Sequence, residues 1–145
     1  MTDRLRADLA KVFDAMARIH DNLVVVSGMR PGAEMIAAEA AIESEVPLVG
    51  VVGFTGIDKN LSEAVREHMA DVAGKAQSVV QLERKEPSGT DAFRKAMVRR
   101  DAWLVAAADE VILVWDEVDN RYDKLFGDLD RRLGPALTVL HPPGD

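Results

Sequence analysis

The sequence contains no cysteine. That absence excludes disulfides, thiolate metal sites and cysteine nucleophiles together. Histidine is nearly as scarce: His20, His68 and His141 are scattered and cannot form the ligand pair of a zinc protease. No apolar run reaches the roughly 18 residues of a membrane span. The charged start (Asp3, Arg4, Arg6, Asp8) does not resemble a signal peptide. A cytoplasmic protein with no membrane partner is therefore expected. Cationic excess is missing too, since 25 acidic residues outnumber 18 basic ones, for a net charge of −7 and a pI near 5.0. Duplex nucleic acid is bound by cations that displace counterions from phosphate, so that class is disfavoured. A local basic cluster can still hold a small phosphorylated ligand.

What is present is an ordinary globular composition, 48% hydrophobic and 30% charged over 145 residues, which rules out disorder. One domain spanning 1–145 is expected, long enough to bury about two-thirds of the unfolded chain's surface. Helix-period segments alternate with short apolar runs. Leu5, Leu9, Val12, Phe13, Met16 and Ile19 predict an amphipathic helix over 3–19. Leu23–Val26 reads as a buried strand ended by Ser27-Gly28, and Pro31 opens an alanine-rich helix over Ala33–Ser44. Leu48–Val52 is a second strand with Gly53 and Gly56 beyond it. Leu61, Ala64, Val65, Met69 and Val72 mark another helix, before a strand at Ser78–Leu82. Glu83–Asp91, with Pro87-Ser88-Gly89, is the most loop-like stretch and a candidate lid. A helix over Asp91–Ala107 leads to a strand at Glu110–Trp115. A last helix over Tyr122–Leu133 stops at Gly134-Pro135 before the strand Ala136–Leu140, and His141-Pro-Pro-Gly-Asp forms the tail. Five apolar strands alternating with helices imply a doubly wound α/β fold, its parallel sheet covered on both faces.

In such sheets ligands bind beyond the carboxyl ends of the strands. Three segments there carry chemistry. Ser27-Gly28-Met29-Arg30-Pro31-Gly32-Ala33-Glu34 is a strand-to-helix turn whose glycines admit close approach and whose free N–H groups can hold an anion. Arg30 can add a bidentate phosphate contact. The segment is neither a Walker loop nor a dinucleotide fingerprint, and a plain turn with a solvated arginine is its bland alternative. In the fourth helix, Phe93, Ala96, Met97, Leu104 and Ala107 define an apolar face, and Arg100 falls in its middle. A cation there must snorkel, pair with Asp101, Glu34 or Asp116, or face a ligand. Arg99 points to the surface. Val114-Trp115-Asp116-Glu117 ends the fourth strand, where a carboxylate commonly meets a ribose hydroxyl. Trp115 either stacks on a base or belongs to the core, and Asn120 and Arg121 offer polar contacts. His68, on the apolar side of the third helix, reads as a core or edge histidine.

These residues resemble a known family. Gly28-Met-Arg-Pro-Gly32-Ala-Glu34-Met-Ile-Ala37-Ala38-Glu39 resembles the glycine-rich turn and small-residue helix of the SLOG superfamily, in its YpsA-like branch. Val52-Gly53-Phe54 is similar to the strand end that follows there. Arg100-Asp101-Ala-Trp103-Leu104-Val105, with Asp109 and the strand to Trp115-Asp116, resembles the group's Arg-Asn-x-Trp-Met-Val … Asp … Val-Trp-Asp segment. The resemblance covers about Leu23 to Pro142. It implies a Rossmann-like doubly wound sheet of about five strands that binds a nucleotide or nucleotide-derived ligand, often as a homodimer, with no cofactor and no metal. By that resemblance Ser27, Gly28, Met29, Arg30, Gly32, Ala33 and Glu34 form the first ligand loop, with Phe54 near it. Arg100, Asp101 and Trp103 cross beneath the site, and Asp116, Asn120 and Arg121 lie near the sugar.

The departures shape the expected function. The family's opening strand has no counterpart, which would leave the first helix an apolar face for a partner to cover. Met29 and Arg30 make the first loop bulkier than usual. The Gly-Gly-Thr turn of the related phosphoribohydrolases is replaced by Glu117-Val-Asp-Asn-Arg121. Ligand binding is therefore expected ahead of catalysis. The alternative is cleavage or transfer at the N-glycosidic bond of nucleoside monophosphates, with Glu34 and Asp116 as acid/base or nucleophile. Single-stranded DNA binding is weaker, given the negative charge, and an interaction protein with a decayed site is the blandest reading.

Overall fold

The computed structural model describes residues 2–143, so Gly144 and Asp145 of the expected tail lie outside the described residues. Helix α1 (Thr2–Ile19) places Leu5, Leu9 and Phe13 one turn apart, all at most 5% exposed. They pack on α2 (Ala33–Glu43), where Ala38, Ala40 and Ala41 are fully buried and let the helices approach closely. The apolar face of α1 is thus covered within the chain and does not await a partner, a correction to the sequence expectation. Strands β1 (Val25–Ser27), β2 (Leu48–Phe54) and β3 (Ser78–Glu83) form a parallel sheet in the order β1-β2-β3. Helix α3 (Glu63–Lys75) joins β2 to β3 and is capped by Ser62, whose hydroxyl accepts the Val65 N–H.

Helix α4 (Thr90–Ala107) meets β2 through a second cluster of Phe54, Ile57 and Ala96, bordered by Val52, Phe93 and Met97. Strand β4 (Val111–Val114), helix α5 (Asp123–Leu133) and strand β5 (Leu137–Leu140) complete the chain, β4 and β5 pairing in parallel. The α/β class with parallel strands and a Rossmann-like layout is as expected. The single five-stranded sheet is replaced by a sheet of three and a sheet of two. β1 is only three residues long and gives its ladder to β2 (Val25 to Leu48, Val26 to Val49, Ser27 to Gly50). Ile112, Val114 and Leu140 of the second sheet still pack against the α1–α2 core, so the two sheets share it.

The segment read as a lid is shorter than expected, because β3 runs on through Glu83 and α4 begins at Thr90. It is also tied down: the Thr55 hydroxyl donates to the Arg84 carbonyl at 2.7 Å, and Lys59 lies 3.9 Å from Glu86.

Candidate functional site

The turn after β1 is built by one hydroxyl. Ser27 Oγ donates to the Glu34 carbonyl at 2.7 Å and accepts the Met29 N–H at 3.0 Å, folding the segment over itself. Met29 takes a positive φ of 58°, uncommon for a side chain of this size, and is held there by burial (2% exposed). Its thioether fills the space over Gly50, where a Cβ would sit 2.5 Å from Met29 Cε. Gly32, at φ 105°, precedes α2, and the helix has no side-chain cap. With Ala33 and Glu34 opening its first turn, that end offers N–H groups and a partial positive charge to an anion. Arg30 leans from the turn toward α4, its Nη1 3.4 Å from the Met97 sulfur.

Across from the turn stands Arg100, only 5% exposed. Its Nη2 donates to Glu34 Oε1 at 2.6 Å and its Nε to Asp101 Oδ1 at 3.1 Å. Its Nη1 is buried and has no hydrogen-bond partner among the described residues. Two glycines make room for this arrangement. A Cβ on Gly28 would lie 2.3 Å from Glu34 Oε1 and 2.8 Å from Arg100 Nη1, and one on Gly53 would lie 2.7 Å from Arg100 Cγ. Both glycines act by the absence of a side chain. Burial pushes the Glu34 carboxyl above its ordinary value, against the opposing charge and hydrogen bond of Arg100. Of the three sequence candidates for the Arg100 partner, the structure selects Glu34 and Asp101.

Asp116 belongs to a separate group. Its Oδ1 accepts the Val118 and Asp119 N–H groups at 2.8 and 2.9 Å, and those bonds, the Asp119 one foremost, hold its pKa below the ordinary value. Asn120 opens a 3-10 turn capped by Asp119, and Arg121 pairs with the same Asp119 at 2.6 Å. Trp115 is 6% exposed, packs on Phe126 with ring centres 5.4 Å apart, and donates Nε1–H to the Asp119 carbonyl. Among the described residues no hydrogen bond or ion pair joins this group to Glu34 and Arg100. Phe54 is fully buried with its ring edge-on to Phe93 at 5.1 Å, while Trp103 is 38% exposed on α4.

His68 is an edge histidine, 3.0 Å from Glu39, which also holds Arg6. A hollow of about 410 Å³ lies beside it, floored by Met35 and Ile36 and reaching the turn at Pro31 and Gly32. Gly53 and Met97 are the site residues that sequence reasoning did not single out. Gly53 was legible only as a residue at a strand end, and Met97 only as part of an apolar stripe. Among the described residues no group of three or more histidines and acids is placed to hold a metal, and no helix is long and apolar enough to cross a membrane. No protein-family model matches the chain, and no curated protein matches it significantly.

Proposed function

We infer that the chain is a binding module for a nucleotide or nucleotide-derived ligand, a nucleoside phosphate or an ADP-ribose-like compound, of the SLOG kind. The observation that carries this reading is Arg100: a buried guanidinium with a free Nη1 beside Gly28, at the uncapped start of α2. A buried donor left without a partner is costly, and an anionic oxygen at the turn satisfies it. Arg30 supplies a second cation at that turn, and its thioether neighbour does not neutralise it. A cytoplasmic location and a homodimer accompany this proposal.

Thermal unfolding against AMP, GMP, CMP, deoxynucleoside monophosphates and ADP-ribose tests it. A ligand at about a hundred times its dissociation constant adds about 2.7 kcal/mol, which raises the Tm by roughly 5–10 °C for a chain of this size. No shift with any of these compounds contradicts the reading.

Hydrolysis of an N-glycosidic bond is the second reading, favoured by one observation. Glu34 is a carboxyl held toward its protonated form at the turn, the state a general acid needs. Release of a free base from a monophosphate, seen by chromatography and lost in Glu34→Gln, is the expected result of that reading. Binding without release leaves the module reading alone.

A further inference from the structure

Gly28 has no side chain, and two charged groups border the space this leaves. A Cβ there would sit 2.3 Å from Glu34 Oε1 and 2.8 Å from Arg100 Nη1. Nη1 is the nitrogen without a hydrogen-bond partner among the described residues, on a side chain only 5% exposed. An oxygen that enters this space to accept from Nη1 therefore comes to rest beside the Glu34 carboxylate. Attraction and repulsion act at one point, and burial strengthens both.

The charges around this space nearly cancel. Arg100 and Asp101 of α4 and Arg30 of the turn are the charged groups that bear on Glu34. Two guanidiniums thus face two carboxylates. Arg100 already divides its charge between both acids, at 2.6 Å to Glu34 and 3.1 Å to Asp101. The strands contribute Ser27, Gly28 and Gly53, none of them charged. The uncapped start of α2 adds about half an elementary positive charge. Such a balance accommodates one further negative charge and opposes a second. Phosphate groups differ in this respect. A diester or pyrophosphate link carries one charge per phosphorus, whereas a terminal monoester approaches two above its second pKa of about 6.

We propose that Glu34 selects the charge of the ligand: the turn between β1 and α2 takes a singly charged phosphate group, and takes a terminal phosphate only together with a proton from solvent. The proton resides on the phosphate or on Glu34, whose burial already holds its carboxyl toward the protonated form. In this role Glu34 determines specificity and makes no bond to the ligand. At neutral pH the site then prefers nucleotides whose phosphates are internal to those that end in one. The selection rests on the nucleotide reading of this turn and narrows it.

Calorimetric titration of AMP and of ADP-ribose, in buffers that differ in ionisation enthalpy, counts the protons taken up on binding. Near neutral to mildly alkaline pH, AMP is expected to take up close to one proton and ADP-ribose almost none, since only AMP has a terminal phosphate. One linked proton weakens AMP binding by about tenfold per pH unit above the phosphate's second pKa, while ADP-ribose should change little. Glu34→Gln keeps an oxygen for Arg100 and removes the charge, so AMP should bind that variant without proton uptake and with a flat pH profile. AMP that binds the wild type without a proton overturns the proposal, as does ADP-ribose that takes up as many as AMP. Proton uptake with AMP that survives in Glu34→Gln overturns it too. Should Glu34→Gln fail to fold, the two wild-type titrations decide. Absence of binding by both compounds across the pH range removes the nucleotide reading itself, and the charge selection with it.

Discussion

Arg100→Ala is expected to cost about 3–5 kcal/mol of folding stability, as losing one member of a buried ion pair does. The guanidinium is 5% exposed and satisfies Glu34 at 2.6 Å, so its removal leaves a half-buried carboxylate without its cation. It also empties the space beside Gly28 and Gly53 that those glycines keep open. Replacing both partners, Arg100→Met with Glu34→Met, should recover most of the loss, because an apolar pair of similar volume carries no desolvation cost. Denaturant unfolding of the three proteins checks this. An Arg100→Ala variant as stable as the wild type would contradict the buried pair.

Glu34 adds a pH signature. Burial raises its folded-state pKa above the ordinary 4.5. The folded chain therefore binds this proton more tightly than the unfolded one, so the contribution to stability is full below 4.5 and is lost as pH rises through the raised value. Glu34→Gln should flatten that part of the stability curve.

Phe54→Ala is expected to cost a similar 3–5 kcal/mol, by a different route. Its ring is fully buried against Phe93, Ile57 and Ala96, and truncation opens a cavity in the cluster that attaches α4 to β2. The family resemblance puts Phe54 near the ligand, whereas its burial makes it a support for the site. Phe54→Leu separates the two roles: it should lose less stability and keep its nucleotide affinity. A Phe54→Leu protein as stable as the wild type but unable to bind would return Phe54 to the ligand contacts.

Much of this fold is legible in the sequence because the patterns are local. The spacing of Leu5, Leu9 and Phe13 specifies α1, and Arg100 stands out on paper as a cation seven residues from Phe93 on an apolar face. Pairing is not local. Whether Arg100 meets Glu34, Asp101 or Asp116 depends on how the turn after β1 is folded, and the Ser27 hydroxyl that folds it acts over seven residues. Trp115 at a strand end has the same chemistry whether it stacks on a base or packs on Phe126, and only the placement of α5 decides. Gly53 reads as a turn residue, while its value lies in the Arg100 stem above it. The separation of β4 and β5 from β1 rests on ladder geometry in strands of three and four residues, which alternation cannot encode.

Calorimetric titration of AMP and ADP-ribose into the wild type and into Arg30→Ala tests the central claim most directly. The Arg30 side chain makes a soft contact to the Met97 sulfur and lends Glu34 a lesser share of positive charge than Arg100 does, so the fold should lose little by its removal. A charge-assisted hydrogen bond to phosphate is worth about 1.5–3 kcal/mol, roughly ten- to a hundredfold in affinity. Binding to the wild type that weakens by that factor in Arg30→Ala is the predicted result. The same affinity in both proteins, or no binding of either compound by the wild type, would contradict a phosphate site at the turn between β1 and α2.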